Sequence, residues 1–311
     1  MRIIVTGASG FIGKNLILSF PPEWQITALF YNNNKFFNFL KERKLKNVKP
    51  FQCDLREEKD VENLFSQVGN DFDVCVYLSA KVDIPGSVTD PVSDMQFNVQ
   101  SLLNFLKHFR GRKFIYMSSG AVYDGLIGKI DPEVSLSPTL PYAISKYTSE
   151  LYVKSYHKRK RSFEKYVILR FFGAYGPYES EKKIFSKLIT FLCFKRDKAF
   201  TIYGDGKNLI DAMYIEDAVQ GILKVIKSKN ANVTVDFAKG TPVTIEELVK
   251  RTARIFDRDE IKIKKEGIAH EHNLFYADPC RMNQIFGFKP RITYEEGIKK
   301  FADFLKKERS N

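Results

Sequence analysis

The chain has 311 residues, room for one large domain or two modest ones. Its 44% hydrophobic and 28% charged residues, with 18 Gly and 12 Pro, exclude disordered and collagen-like chains, and no apolar run approaches the roughly 20 residues that cross a bilayer. The net charge of +13 is uneven, with 17 basic against 16 acidic side chains in residues 1–150 and 33 against 21 in the rest, so nucleic acid, an anionic membrane surface, an anionic small substrate and a lysine-coated solvated surface all stay open.

The N-terminus reaches glycine after three apolar residues, too few for a secretory apolar region, and a cytoplasmic protein is expected. Residues 2–6, 25–30, 48–52, 73–78, 113–117 and 166–169 read as strands, several apolar throughout, as in a sheet covered on both faces. Helical periodicity fills 11–20, 36–44, 57–66, 92–109 and 141–158. The alternation predicts an α/β fold built on a doubly wound parallel sheet.

Beyond residue 170 come a loop Gly173-Ala174-Tyr175-Gly176-Pro177, a helix over 184–194 and a turn Gly204-Asp205-Gly206. Helix 216–227 and strand 233–237 look like the first half, so 211–238 is expected to return to the main sheet. Helices at 245–256, 279–286 and 295–307 finish the chain. The expected division is a dinucleotide-binding domain over 1–170 and a smaller C-terminal substrate-binding lobe over 171–210 and 239–311, facing one cleft. Cys53, Cys75, Cys193 and Cys280 have no C-x-x-C spacing, which argues against disulfides and zinc. His270 and His272 share a strand face without a third ligand nearby, so no metal is expected.

Thr6-Gly7-Ala8-Ser9-Gly10-Phe11-Ile12-Gly13 joins the first strand to the first helix. Unpaired N–H groups at a helix N-terminus favour an anion, and the missing Cβ atoms let a pyrophosphate approach. Gly7, Ser9, Gly10, Phe11, Ile12 and Gly13 are therefore candidate cofactor-binding residues. Their G-x-x-G-x-x-G spacing resembles the short-chain dehydrogenase/reductase family, and T-G-x-x-G-F-I-G resembles its extended branch. The second strand ends Tyr31-Asn32-Asn33-Asn34-Lys35, without the carboxylate that would hold the ribose of NAD. Nothing there repels a 2′-phosphate, and Tyr31, Asn32 and Lys35 are candidate contacts, so NADP is favoured and NAD is kept, because no marker arginine is present either. Asp54, followed by Leu55, stands where the family contacts adenine; capping the next helix is the other reading.

Tyr142 and Lys146 lie four residues apart and share a helix face. A phenol titrates near 10, and a neighbouring ammonium favours its phenolate, so the pair suits proton transfer. Ser118-Ser119-Gly120-Ala121-Val122-Tyr123 closes the fifth strand, and strand C-termini are where doubly wound folds place their chemistry. Together with Leu169 to Pro177, Gly204 to Gly206 and Tyr276-Ala277-Asp278, these segments resemble the NAD-dependent epimerase/dehydratase family of nucleotide-sugar enzymes over essentially the whole chain. The resemblance implies a Rossmann-like fold and a nucleotide-activated sugar as substrate. Ser119 would hydrogen-bond the reacting oxygen, Tyr142 would be the acid/base, and Lys146 would bind the nicotinamide ribose. It also implies that Leu78, Ser79, Ala80, Lys81, Asn98 and Ser118 serve the cofactor, that Lys81, Ser87, Gly173, Lys187, Ile210 and Arg281 serve the substrate beside Ser119 and Tyr142, and that the protein is a homodimer.

Departures narrow the reaction. Sugar dehydratases of the family follow the catalytic hydroxyl with Asp-Glu, whereas this chain has Gly120-Ala121, so a 4-epimerase or a 4-keto reductase is expected in place of a dehydratase. Ile210 occupies the place of an arginine that grips the nucleotide diphosphate, which leaves Lys182, Lys183, Lys187 or Arg281 for that task, or a substrate other than a standard UDP-sugar. A different class remains: a catalytically silent, cofactor-sensing or RNA-binding homologue using His157-Lys158-Arg159-Lys160-Arg161, a run equally suited to a solvated helix C-terminus.

Overall fold

The structure is a computed structural model that describes residues 1–131, 133–160, 162–195, 197–267 and 274–310. Its contacts form two compact units, one of Met1–Asp124, Ser135–Phe171 and Leu223–Val235, the other of Gly125–Val134, Phe172–Ile222 and Asp236–Asn311. Of the segment expected to rejoin the main sheet, 223–235 belongs to the first unit, and 211–222 and 236–238 to the second.

Apolar, β-branched runs build the sheet of the first unit from β1 (Arg2–Thr6), β2 (Gln25–Phe30), β3 (Val48–Gln52), β4 (Phe72–Tyr77), β5 (Gly111–Ser119), β6 (Phe163–Phe171) and β7 (Val233–Phe237). Their order is β7-β6-β5-β4-β1-β2-β3, and the pairings from β6 through β3 are parallel. The chain leaves β1 in one direction for β2 and β3 and returns on its other side as β4. The C-terminal ends of β1 and β4 therefore flank a switch point, the place where such sheets bind ligands.

The helices of this unit are α1 (Phe11–Leu18), α2 (Lys35–Glu42), α3 (Glu58–Val68), α4 (Pro91–Met95), α5 (Ser101–His108) and α6 (Pro141–Lys158). Residues 92–109, expected as one helix, are instead α4 and α5 joined by a π-helical turn over Gln96–Gln100. A short helix, Ile84–Thr89, was not expected; Asp83 caps it and proline opens it. One core face joins Phe72, Tyr77, Phe105, Phe109, Phe114 and Phe163, all enclosed, with the rings of Phe114 and Phe163 stacked at 4.9 Å. Each such side chain contributes about 1.5–3 kcal/mol on burial. Lys113 on β5 is enclosed as well; its ammonium donates to the carbonyls of Val225 at 3.0 Å and of Ser228, capping the helix Ile215–Lys227.

The second unit uses short strands. Ala174–Tyr175 pairs with Met213–Tyr214, Leu209–Ile210 with Val243–Thr244, Ala199–Tyr203 with Lys262–Glu266, and Ile127–Lys129 with Leu274–Tyr276. Helices Ile184–Phe194, Ile245–Ile255, Cys280–Phe286 and Tyr294–Ser310 surround them. Tyr175 stacks on Phe185 at 4.2 Å, with Tyr294 beside both. Among the described residues no helix is long and apolar enough to cross a membrane.

Candidate functional site

The glycine turn sits at the switch point. Gly7 adopts φ +66°, and a Cβ there would lie 3.0 Å from the Ser79 backbone; a Cβ on Gly13 would lie 2.4 Å from the Gly7 carbonyl oxygen. Both glycines are therefore required by packing, which brings the turn against the end of β4. Thr6 Oγ1 strengthens that contact by accepting from the N–H groups of Leu78 and Ser79 at 3.1 and 3.0 Å. Exposed Gly10 precedes α1 with neither a side-chain cap nor an acidic residue in the first turn, while Phe11 and Ile12 are half-buried. An N-terminus left open in this way fits a pyrophosphate, and so fits a dinucleotide.

Tyr31, Asn32 and Lys35 lie exposed where β2 ends and α2 begins. A residue missed in the sequence joins them: the Arg56 guanidinium donates to the Tyr31 hydroxyl at 2.9 Å and lies over the Phe97 ring at 4.1 Å. The loop after β3 brings it there, so no local spacing announces it. Asp54 corrects one of its two readings. It does not cap α3, whose N-cap is Glu57, but grips Arg56 at 2.6 Å, which holds its carboxyl below the usual range. Leu55 beside it is buried.

Asn98 lies in the π-helical turn, a distortion that re-aims side chains and is frequent at functional sites. Its amide brackets the Lys81 backbone, with Lys81 N–H donating to Oδ1 at 3.0 Å and Nδ2 donating to the Lys81 carbonyl at 3.2 Å. Half-buried Leu78, Ser79, Ala80 and Lys81 follow β4 and are fixed by these bonds.

At the end of β5, Ser119 is half-buried and its Oγ accepts from the Ala121 N–H at 3.1 Å. Pro141 at the first helical position starts α6, which carries both Tyr142, 4% exposed, and Lys146, 2% exposed. Lys146 Nζ donates to the Met117 carbonyl at 2.6 Å and lies over the Tyr116 ring. Burial draws its ammonium down to about 7, against the opposing charges of Glu150 and Asp94. Two expected contacts have other partners. Ser118 Oγ donates to Glu150 at 2.6 Å, and fully enclosed Ser87 accepts from the Tyr142 N–H and donates to the Ile84 carbonyl. Both hydroxyls thus support the helix that bears the tyrosine.

Glu150 was also missed. Completely buried, it receives Arg170 of β6 through Nε at 3.0 Å and Nη2 at 2.8 Å, and Arg170 Nη1 donates to Tyr123 at 2.8 Å. These bonds tie α6 to the ends of β5 and β6.

The substrate candidates of the second unit are more scattered. Gly173 has φ +141° and its carbonyl accepts from Met213 N–H. Lys182, Lys183 and Lys187 are exposed, and Arg281 pairs with Glu133 at 3.2 Å. Ile210 lines a cavity of about 440 Å³ together with Phe185, Lys239, Arg251, Lys289 and Arg291. Among the described residues Lys289 and Arg291 have no carboxylate within ion-pair distance. These four cations were not singled out in the sequence, because three different segments supply them.

The basic run ends α6, where His157 stacks against Phe163 and cations favour the helix dipole. Arg161, His270 and His272 lie outside the described residues.

A model of the NAD dependent epimerase/dehydratase family matches residues 3–237. The chain is 30% identical to the protein named uncharacterized UDP-glucose epimerase YtcB of Bacillus subtilis (strain 168), over 96% of each chain. It superposes on UDP-glucuronic acid 4-epimerase of Bacillus cereus, solved with UDP-glucuronic acid and NAD, with TM-score 0.85, 22% identity and coverage of 99% of this chain and 100% of that one. RMD of Pseudomonas aeruginosa, solved with NADPH, gives TM-score 0.80 at 21% identity and 99% coverage of both chains.

Proposed function

Because this chain belongs to the NAD-dependent epimerase/dehydratase family, we propose that it moves a hydride from and back to a ring carbon of a nucleotide-activated sugar, as a 4-epimerase with Tyr142 as acid and base. The observation that carries the reading is the enclosed pair on α6, with Lys146 one turn from Tyr142 and locked to β5 through the Met117 carbonyl. A solvated lysine beside a tyrosine would need neither that burial nor that bond.

The nicotinamide supplies the hydride acceptor and donor. Tyr142 takes the proton of the sugar hydroxyl as the carbon is oxidised and returns it on reduction. Lys146 favours the phenolate through its charge. Ser119 donates to the same sugar oxygen, its Oγ being oriented by the Ala121 N–H. Gly120 and Ala121 follow it in a single 3₁₀ turn and offer no side chain that exchanges a proton, which disfavours loss of water. Net reduction of a 4-keto sugar uses the same groups.

NADP is the proposed cofactor, with NAD as the competing outcome. No carboxylate ends β2, and Arg56 brings a cation beside Tyr31. In the second unit, Lys289 and Arg291 offer the substrate's phosphates the charge that Ile210 lacks.

The test combines UDP- and dTDP-hexoses with either cofactor and follows sugar interconversion by chromatography. Interconversion without net cofactor consumption supports the epimerase, and stoichiometric NADPH oxidation on a 4-keto sugar identifies the reductase. Salt-sensitive RNA retention with no turnover overturns both.

A further inference from the structure

Two side chains of α6, Lys146 and Glu150, lie one turn apart and reach two consecutive residues of β5. Lys146 Nζ donates to the Met117 carbonyl at 2.6 Å, and Glu150 Oε1 accepts from Ser118 Oγ at 2.6 Å. All three side chains are enclosed, Ser118 at 3% exposure, Lys146 at 2% and Glu150 at 0%. The next residue of β5 is Ser119, so both bonds fall immediately before the hydroxyl that has to meet the same sugar oxygen as Tyr142. Ser119 and Tyr142 stand on different elements, and their separation is set by how α6 is held against the end of β5.

The two bonds are not equivalent. In the proposed reaction Lys146 also binds the nicotinamide ribose, whereas the Ser118–Glu150 bond joins two groups inside the protein. Nor is the serine needed to balance the buried charge. Arg170, the register partner of Ser118 on β6, donates to Glu150 through Nε at 3.0 Å and Nη2 at 2.8 Å and neutralises it. Removing the serine hydroxyl therefore leaves the ion pair whole and takes away the link from α6 to the residue before Ser119.

We propose that Ser118 is a positioning residue: its bond to Glu150 sets the register of α6 on β5 and so holds Tyr142 and Ser119 on one reacting oxygen. The proposal rests on the roles given above to Tyr142, Lys146 and Ser119. Displacing reacting groups by about 1 Å costs on the order of 10²-fold in rate, so a hydroxyl that acts through Glu150 controls turnover by placement.

The test uses the full-length variants Ser118→Ala and Ser118→Thr. Ser118→Ala should lower kcat by about tenfold or more, with the KM of the sugar and the Kd of the cofactor within about twofold of wild type, and Ser118→Thr, which keeps the hydroxyl, should recover most of the loss. Lost stability alone does not produce that split. An unchanged kcat in Ser118→Ala overturns the proposal, and so does a cofactor Kd raised about tenfold or more, which would make Ser118 a ligand of the cofactor. A readout without turnover is amide hydrogen exchange in the ligand-free protein. The Ala121 N–H is held by Ser119 Oγ at 3.1 Å, and its exchange should quicken about tenfold in Ser118→Ala while the amides of β1 stay at wild-type rates. Exchange at Ala121 equal to wild type sinks the proposal. If no nucleotide sugar is turned over yet that exchange quickens, the proposed function fails and the placement of Ser119 by Ser118 stands. If Ser118→Ala does not fold, Ser118→Cys, of similar size and a weaker donor, is measured against the same criteria.

Discussion

Buried Glu150 of the first unit and three carboxylates of the second are held in opposite ways. In the first, Glu150 meets Arg170 through both oxygens, charge against charge, at the root of the helix that carries Tyr142. In the second, Asp211 accepts from the N–H groups of Gly240 and Thr241, Asp217 from those of Arg291 and Ile292, and Glu179 from the N–H and hydroxyl of Ser186, and among the described residues no cation lies within ion-pair distance of any of them. Burial raises all three, Asp211 to about 6 and Glu179 to about 7. The helix that carries Tyr142 is thus anchored by a charge pair, while burial raises the three carboxyls of the second unit.

The largest expected effect is on turnover. Tyr142→Phe should lower kcat by about 10²–10⁴-fold with cofactor affinity within a few fold of wild type, measured by steady-state kinetics and equilibrium binding. Near-normal kcat would remove the first unit's claim to the chemistry. Next comes the locked pair. Arg170→Met strands a buried Glu150 and should cost about 3–5 kcal/mol in denaturant unfolding, and adding Glu150→Met should recover much of that loss. A loss below about 1 kcal/mol would mean that the pair is no lock.

Smaller effects probe the second unit. Arg291→Ala should raise the KM of a nucleotide sugar by about tenfold and leave kcat nearly unchanged, the pattern of a group that binds ground and transition states alike. A KM that does not move would send the search for phosphate contacts back to Lys182, Lys183 or Lys187. The smallest effect concerns pH. Glu179 has a folded-state pKa above its ordinary 4.5, so its carboxyl favours the folded state at low pH, and that contribution is lost as pH rises from 4.5 through about 7. Thermal melts of Glu179→Gln should show a shallower decline over this window than wild type. An unchanged slope would assign the titration to other groups.

The first unit was the more legible. Strands 2–6, 25–30 and 48–52 and helix 141–158 keep their expected bounds, because two-sided burial leaves apolar runs and because proline and late cations punctuate the helix. The π-helical turn stayed hidden because one extra residue per turn barely disturbs helical periodicity. Arg56 beside Tyr31 and Glu150 against Arg170 are meetings of distant segments, and neither has a short-range signature. In the second unit the helices were visible, but strands of two to five residues carry too little pattern to register, and the cations around Ile210 come from separate segments.

The late return of β7 has a consequence for biosynthesis. A chain made from its N-terminus releases β1 through β6 long before Val233–Phe237 appears. Until then the outer edge of β6 has no neighbour, and the Lys113 ammonium has no Val225 or Ser228 carbonyl to receive it. The sheet of the first unit therefore cannot be completed until residues 233–237 have been made. Until then it has an unpaired edge at β6, the kind of edge on which strands of other chains can pair.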